Sequence, residues 1–169
     1  MTKEIFHRPK YWDCFSKPQH WLKTAEDLRC AYDVLWESQD TPCDSELGSD
    51  RAVVKTALML LGFSLENLLK GIILDVKPEM KEGSRLSKVI LNHNLVELAN
   101  LAGFRSESAA LVDELTHLTQ FAIYAGRYPV AKDAKSETYQ MWIPSHVVDQ
   151  CCAFWGQLHK YLTIKYPEH

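Results

Sequence analysis

The fold is decided by residues 51–76, which read RAVVKTALMLLGFSLENLLKGIILDV. Apolar side chains recur throughout this stretch and cover most of the circumference of a helix. A helix that is apolar on nearly every side is buried among other elements, so this segment is predicted to form the central helix of a bundle. Pro78 ends the helix because proline lacks the backbone N–H that helical hydrogen bonding requires.

Four further segments repeat their apolar residues at alternating steps of three and four, the spacing that aligns side chains on one helix face. With the central helix they predict helices near residues 18–38, 50–77, 94–103, 107–128 and 145–165. No alternation typical of β-strands competes with these patterns, so no β-sheet is expected. The sequence therefore predicts an all-α fold, an up-and-down antiparallel bundle of four to five helices.

Capping residues mark several of the predicted helix ends. Ser16 is expected to cap the first helix, with Pro18 in its first turn. Asn94 and Glu97 have the spacing of a capping box for the short third helix. Gly103 is expected to close that helix, because glycine readily adopts the left-handed conformation common after a helix C-terminus.

Length and composition fit one domain. The chain has 169 residues, of which 46% are apolar, enough for one sizeable core. We expect an irregular arm over residues 1–15 and a single bundle domain over residues 16–169. The formal net charge of -3 gives no global attraction to nucleic acid or anionic lipid, although a local basic patch stays open.

Targeting and metal-binding signals are not expected in this sequence. The start Met1-Thr2-Lys3-Glu4 is polar, and apolar runs are interrupted well before the roughly 20 residues that a bilayer requires. The five cysteines lack C-x-x-C and Cys/His zinc spacing, which favours reduced thiols. We therefore expect a cytoplasmic protein with no membrane contact, no metal and no cofactor.

A charged pair, Glu66 and Lys70, lies within the otherwise apolar central helix. A glutamate one turn before a lysine stabilises a helix by roughly 0.2 to 0.5 kcal/mol, so a structural ion pair is one interpretation. The other is a functional groove or a subunit boundary, since charges on an apolar helix need a partner or a cleft. Gly62, one turn earlier, permits close approach of another helix or a ligand.

A second candidate site lies where the fourth helix ends, in residues 121–129, FAIYAGRYP. One interpretation of Arg127 is structural, because the helix dipole favours a cation near a helix C-terminus. Together with Tyr124 and Tyr128, its planar cation also suits contacts to phosphate and bases. The sequence leaves both interpretations open.

Histidines give no catalytic signature. His93, His117, His146 and His159 lie in or beside the predicted helices without an H-E-x-x-H arrangement. No glycine-rich phosphate loop or nucleophile elbow accompanies them. We interpret each as a surface residue or an internally satisfied one.

Four short segments, taken in order, resemble the HEPN family (higher eukaryotes and prokaryotes nucleotide-binding). They are WLKTAEDL at 21–28, ENLLKG at 66–71, HNL at 93–95 and RYP at 127–129. The similarity spans about residues 20 to 165. It implies a helical bundle, often a homodimer, of the kind found in toxin-antitoxin, antiphage and nucleotidyltransferase-associated systems.

Many HEPN proteins are metal-independent RNases that carry an arginine followed within a few residues by a histidine. Here Arg127 is followed by YPVAKDA, which contains no histidine. The resemblance therefore implies a module without catalytic activity that binds a nucleotide, RNA, or a protein partner such as an antitoxin or nucleotidyltransferase. The expected ligand-binding residues are Glu66, Lys70, His93, Tyr124, Arg127 and Tyr128.

Two alternatives remain at this point. One is an RNase toxin with a divergent site, in which Arg127 stabilises the phosphorane-like charge and His93 or His117 supplies the proton. The other is a structural bundle whose arm and C-terminal helix engage another subunit. Whether the chain is an enzyme is thus open, with the absent arginine-to-histidine motif favouring no activity.

Overall fold

A computed structural model of the chain describes residues 15–38, 49–82, 85–104, 109–125 and 144–167. Within these ranges the chain forms five α-helices: α1 (Pro18–Glu37), α2 (Ser49–Val76), α3 (Leu95–Leu101), α4 (Ala109–Gln120) and α5 (Ser145–Lys165). The predicted all-α bundle is confirmed. Residues 1–14 of the predicted arm lie outside the described residues.

Helix α2 is the centre of the bundle, as its apolar circumference predicts. It packs against each of the other four helices. Its core-facing side chains are almost fully enclosed, namely Ala57, Leu58, Leu61, Leu65, Leu68, Leu69, Ile72, Ile73 and Leu74. Removing one large aliphatic side chain from water contributes roughly 1.5 to 3 kcal/mol, so this single helix anchors most of the core.

The same helix has a property that the sequence analysis did not expect. By length and composition alone, Val53–Val76 is apolar enough to cross a membrane. However, 78% of its most apolar window is buried inside the protein by the surrounding elements. Its apolarity is therefore accounted for by its central position in the core.

A short β-ribbon follows α2, which the sequence analysis did not predict. After a 3-10 turn at Pro78–Met80, strand β1 (Lys81–Glu82) pairs antiparallel with β2 (Arg85–Leu86). The expectation of no β-sheet is wrong here because two-residue strands are too short to show a period-two alternation. The ribbon connects α2 to the turn that precedes α3.

One half of the predicted capping box at the start of α3 is formed, by Asn94, and the other half, by Glu97, is not. The Asn94 side chain accepts hydrogen bonds from the backbone N–H groups of Val96 and Glu97, at 3.0 and 3.2 Å. The reciprocal bond of a capping box is not formed. Instead, the backbone N–H of Asn94 donates to Asn92 Oδ1 at 2.9 Å, while the carboxylate of Glu97 accepts from the Asn92 amide.

The predicted end of α3 is confirmed. Gly103 adopts a φ of +90°, and its N–H donates to the carbonyl of Asn100 at 3.2 Å. The next N–H, from Phe104, donates to the carbonyl of Ala99 at 2.9 Å. These two bonds form a Schellman motif, in which glycine pays no steric cost for the left-handed conformation.

The predicted cap of α1 is wrong. Lys17 occupies the N-cap position and makes no side-chain capping bond, while Pro18 begins the helix. Proline's fixed φ and missing N–H suit the first helical position without a serine cap. The prediction chose Ser16 because serine is a preferred capping residue, but the N-cap position lies one residue later, at Lys17.

Helix α4 continues as a π-helical turn over Phe121–Ala125. This turn packs tightly on Gly62 of α2, where an added Cβ would lie only 2.8 Å from the Cβ of Ala122. The close approach that Gly62 permits is thus between two helical segments of the bundle. The predicted helix extended to residue 128, and residues 126–128 lie outside the described residues.

Candidate functional site

Glu66 and Lys70 form a buried ion pair on α2. Lys70 Nζ donates to Glu66 Oε1 at 2.7 Å, and their side chains are only 5% and 9% exposed for lysine and glutamate respectively. Two ions removed from water are costly unless they neutralise each other at short range. Both side chains are therefore held in place by their mutual charge.

His93 joins this pair from the turn before α3. Its Nδ1 lies 3.0 Å from both carboxylate oxygens of Glu66. The imidazole is 48% exposed, in contrast to the two charges behind it. We call Glu66, Lys70 and His93 the Glu66 cluster.

Local capping fixes the position of His93. It lies between Asn92 and Asn94, whose side chains satisfy the backbone at the start of α3. A carboxylate accepts hydrogen bonds only, so Nδ1 of His93 carries the proton that it donates to Glu66. The opposite ring nitrogen, Nε2, is not engaged by Glu66.

Trp21 of α1 borders the cluster on the side of Lys70. Lys70 Nζ lies 5.9 Å from the centre of the Trp21 ring, at the outer range of a cation–π contact. Gly71 allows this packing, since an added Cβ there would lie 3.2 Å from both Trp21 Cβ and Leu162 Cδ1. The sequence pattern does not connect Trp21 with the charged pair, because the two lie on different helices.

The charges of the cluster determine what it can do. The buried glutamate and lysine cancel, so the net charge is zero when His93 is neutral and +1 when its imidazole is protonated. Only His93 reaches solvent to an appreciable extent, so a ligand meets an imidazole backed by a carboxylate. Such a group can donate a hydrogen bond to an anionic oxygen or exchange a proton with it.

The structure thus brings together three of the six predicted site residues. Tyr124 lies in the π-helical turn after α4, and its side chain is outside the described part. Arg127 and Tyr128 lie outside the described residues, so their predicted approach to the cluster stays a prediction. The π-helical turn at Phe121–Ala125 comes just before them in the sequence, and such turns are rare and often occur at functional sites.

A second polar network joins α1 to α5 and is entirely paired. The guanidinium of Arg29 lies between the rings of Tyr32 and Trp155, at 4.9 and 5.0 Å from their centres. Arg29 also donates to Asp33 at 2.9 Å. Burial, reinforced by the neighbouring Cys152, raises the pKa of Tyr32 above its ordinary range.

This network continues along α5 and into α2. The ring of Trp155 stacks on His159 at 4.6 Å, and His159 Nε2 lies 2.9 Å from Glu26. Trp155 also donates to Ser64 Oγ at 2.7 Å, which in turn donates to the carbonyl of Ala25 at 2.6 Å. His159 is thus a satisfied residue, as expected, and the network serves to connect three helices.

Glu114 is the exception to this pairing. Its side chain is buried between α4 and α5, and in the described part of the chain its Oε2 has no hydrogen-bond partner. Burial raises the pKa of Glu114, partly opposed by His146. The sequence analysis did not identify Glu114, because a glutamate in a helical pattern is usually exposed.

The described residues offer no group of three or more His, Cys, Asp or Glu side chains arranged to hold a metal ion. Cys151 and Cys152 are free thiols, with Cys151 buried. Burial, together with Glu114 and Cys152, raises the pKa of Cys151 to about 12. A thiol of this kind stays protonated and unreactive.

Comparison with protein-family models, with curated proteins and with solved structures gives no match for this chain. The HEPN resemblance therefore depends on the four sequence segments alone.

Proposed function

We propose that this protein is a HEPN-like binding module that holds a phosphate of a nucleotide or RNA at the Glu66 cluster and does not cleave it. One observation carries the proposal. Two sequence segments that resemble the family, ENLLKG and HNL, contribute Glu66, Lys70 and His93 to one site, where the imidazole faces solvent.

The chemistry of the cluster supports an anionic ligand. Protonated His93 gives the cluster a net positive charge, and a phosphate oxygen can accept a hydrogen bond from Nε2. A charge-assisted bond of this kind is shorter and stronger than a neutral one. Lys70, though buried, adds to this positive charge, because the single negative charge of Glu66 balances only one of the two cations, Lys70 and protonated His93.

The first test identifies the ligand. The protein is purified from cells, and any nucleotide or RNA that accompanies it is identified by mass spectrometry and sequencing. Binding is then measured by fluorescence anisotropy with a labelled oligouridylate. His93→Ala should weaken binding about tenfold, the effect of removing one charged hydrogen bond.

His117→Ala is the matched control, because His117 is also exposed and its Nδ1 is hydrogen-bonded to the carbonyl of Asp113 in its own helix. It should leave affinity unchanged. Equal affinities of the two variants and the wild type would remove His93 from the site. No binding of nucleotide or RNA at all would favour the structural bundle.

Arg127 is proposed as a further phosphate contact, on the basis of its sequence setting. Arg127→Ala should weaken binding and leave helical content unchanged. Arg127→Lys should rescue binding only in part, because a point charge cannot reproduce a bidentate contact. If Arg127→Ala lowers the melting temperature and leaves the affinity unchanged, Arg127 has a structural role.

We also propose a homodimer, as the resemblance implies, and a protein partner of the antitoxin or nucleotidyltransferase kind. Most soluble oligomers are homo-oligomers with closed symmetry, and two-fold dimers are the commonest of them. Light scattering at micromolar concentration tests the dimer. A strictly monomeric mass would contradict it.

A second function, RNA cleavage, is favoured by one feature of the cluster. The carboxylate of Glu66 orients the imidazole of His93 as a carboxylate orients a catalytic histidine, leaving Nε2 to exchange a proton with a ribose hydroxyl or a leaving oxygen. Labelled RNA incubated with the protein and a chelator tests this. Cleavage lost in His93→Ala but retained in His117→Ala would support it, and intact RNA would exclude it.

A further inference from the structure

A groove of about 340 Å³ lies between the end of α2, the turn before α3, and α3 itself. Its walls include the apolar side chains Val89, Leu98 and Leu101 and the polar side chains Lys77 and Asn100. Ligand sites have about this size and this mixture of apolar walls with a few polar groups.

The polar groups of the groove are of a particular kind. Asn92 and Glu97 line it as well, and they are already joined to each other by a hydrogen bond. Asn100 is exposed on the same helix as Glu97. Planar amides and carboxylates form the paired hydrogen bonds that read the edge of a nucleobase, and apolar walls accept its face.

The surroundings of the groove fit a nucleotide more than an uncharged ligand. Four basic residues lie within residues 77–88, against two acidic ones, in a chain whose net charge is -3. Lys77 is one of them and lines the groove directly. Nearby apolar side chains are unusually open, with Val89 54% and Leu91 53% exposed.

The groove is close to the Glu66 cluster through adjacent residues of one turn. Asn92 lines the groove, and the next residue, His93, contacts Glu66. Consecutive Cα atoms lie about 3.8 Å apart, so the residues that reach the two sites are separated by one peptide unit of this turn. Neighbouring groups of one nucleotide can span such a separation.

We infer that this groove binds a nucleobase of the RNA or nucleotide whose phosphate is held at the Glu66 cluster. The inference rests on the proposed function and adds the base-binding part of that site. Val89, Leu98 and Leu101 contact the face of the base, and Asn100 contacts its edge. Lys77 neutralises an adjacent phosphate.

The experiment separates base contacts from phosphate contacts. Binding of a labelled oligouridylate is compared with binding of an abasic oligonucleotide of the same length and backbone charge. The wild-type protein should bind the base-containing strand about tenfold more tightly, within the range of one well-formed contact to a base edge. Asn100→Trp, which fills the groove from an exposed position, should abolish this preference.

Gln150→Trp is the matched control, since Gln150 is exposed on α5 away from the groove, and it should retain the preference. Circular dichroism and melting temperature establish that both variants fold. Should Asn100→Trp not fold, Lys77→Gln provides a second variant, which should weaken both strands to the same extent and leave the base preference in place.

Three outcomes would overturn the inference. Equal affinity for the two strands would exclude a base site while leaving phosphate binding at His93 intact. A wild-type dimer that becomes monomeric in Asn100→Trp would identify the groove as an interface between two copies. Failure of both strands and of free nucleotides to bind would remove the proposed function, and this inference with it.

Discussion

Asp75 and Glu66 are carboxylates on the same helix, α2, and they differ in the kind of partners that surround them. Asp75 accepts three hydrogen bonds, from Tyr161 at 2.9 Å, Tyr166 at 2.7 Å and Lys165 at 2.5 Å. All three donors come from α5 or the residue after it. Asp75 thus ties the end of α5 to α2.

Glu66 has partners with different exposure. Lys70 is buried beside it, whereas His93 is half exposed and belongs to a turn. Exposure alone does not separate the two carboxylates, because Lys165 beside Asp75 is 46% exposed and His93 beside Glu66 is 48% exposed. The exposed partners differ in chemistry, since an imidazole can exchange a proton near neutral pH whereas a lysine ammonium stays charged. The comparison teaches that the kind of exposed partner, not carboxylate burial, distinguishes a candidate site from a structural contact.

The pKa of Asp75 agrees with the structural interpretation. Burial alone would raise it, but the hydrogen bonds from Lys165, Tyr166 and Tyr161 outweigh burial and lower the pKa below its ordinary value of 3.8. Asp75 therefore stabilises the folded state above that value. This contribution is lost as the pH falls through the lowered pKa of the folded protein.

Glu66→Gln should have the largest effect on stability. It leaves Lys70 as an unneutralised cation in the core, and breaking a buried pair costs about 3 kcal/mol or more. Urea unfolding measures the change. The double variant Glu66→Gln/Lys70→Met should recover most of the loss, and a double variant no more stable than the single one would contradict the ion-pair explanation.

Asp75→Asn should cost somewhat less, about 1 to 3 kcal/mol, because it disrupts hydrogen bonds to a charged acceptor without leaving a buried cation. Its melting temperature should fall while affinity for RNA stays unchanged. Near neutral pH the loss is complete, and it should shrink on acidification as wild-type Asp75 becomes protonated. If Asp75→Asn folds normally but binds RNA more weakly, Asp75 also contributes to binding, and the distinction between the two carboxylates is wrong.

Glu114→Gln extends the comparison to a buried carboxylate whose Oε2 has no hydrogen-bond partner in the described part of the chain. Because burial raises the folded pKa of Glu114, ionisation costs stability as the pH rises from the ordinary value of 4.5 through the raised one. The variant should be more stable than wild type by about 1 kcal/mol at pH 8. The difference should vanish below the ordinary value, and a pH-independent difference would count against this explanation.

His93→Ala should have the smallest effect on stability, below about 1 kcal/mol, because the imidazole is half exposed and the Glu66–Lys70 pair remains. The same variant should show the tenfold loss of RNA affinity described above. Thermal unfolding and anisotropy on one preparation measure both. A large fall in melting temperature with unchanged affinity would make the whole Glu66 cluster structural.

Local patterns in the sequence determined much of this protein. The apolar circumference of residues 51–76 required a central helix, and Gly103 required a helix end. The spacing of Glu66 and Lys70 required that they share one helix face. Each of these conclusions depends on residues within a few turns of one another.

Only the tertiary structure decided which distant groups meet. His93 reaches Glu66 across 27 positions of sequence, and Asp75 meets Tyr161 across 86. No periodicity within a segment encodes such pairs, because they depend on how whole helices are oriented and packed. For the same reason, the sequence could not show that Oε2 of Glu114 has no hydrogen-bond partner among the described residues, since this depends on how its helix packs against α5.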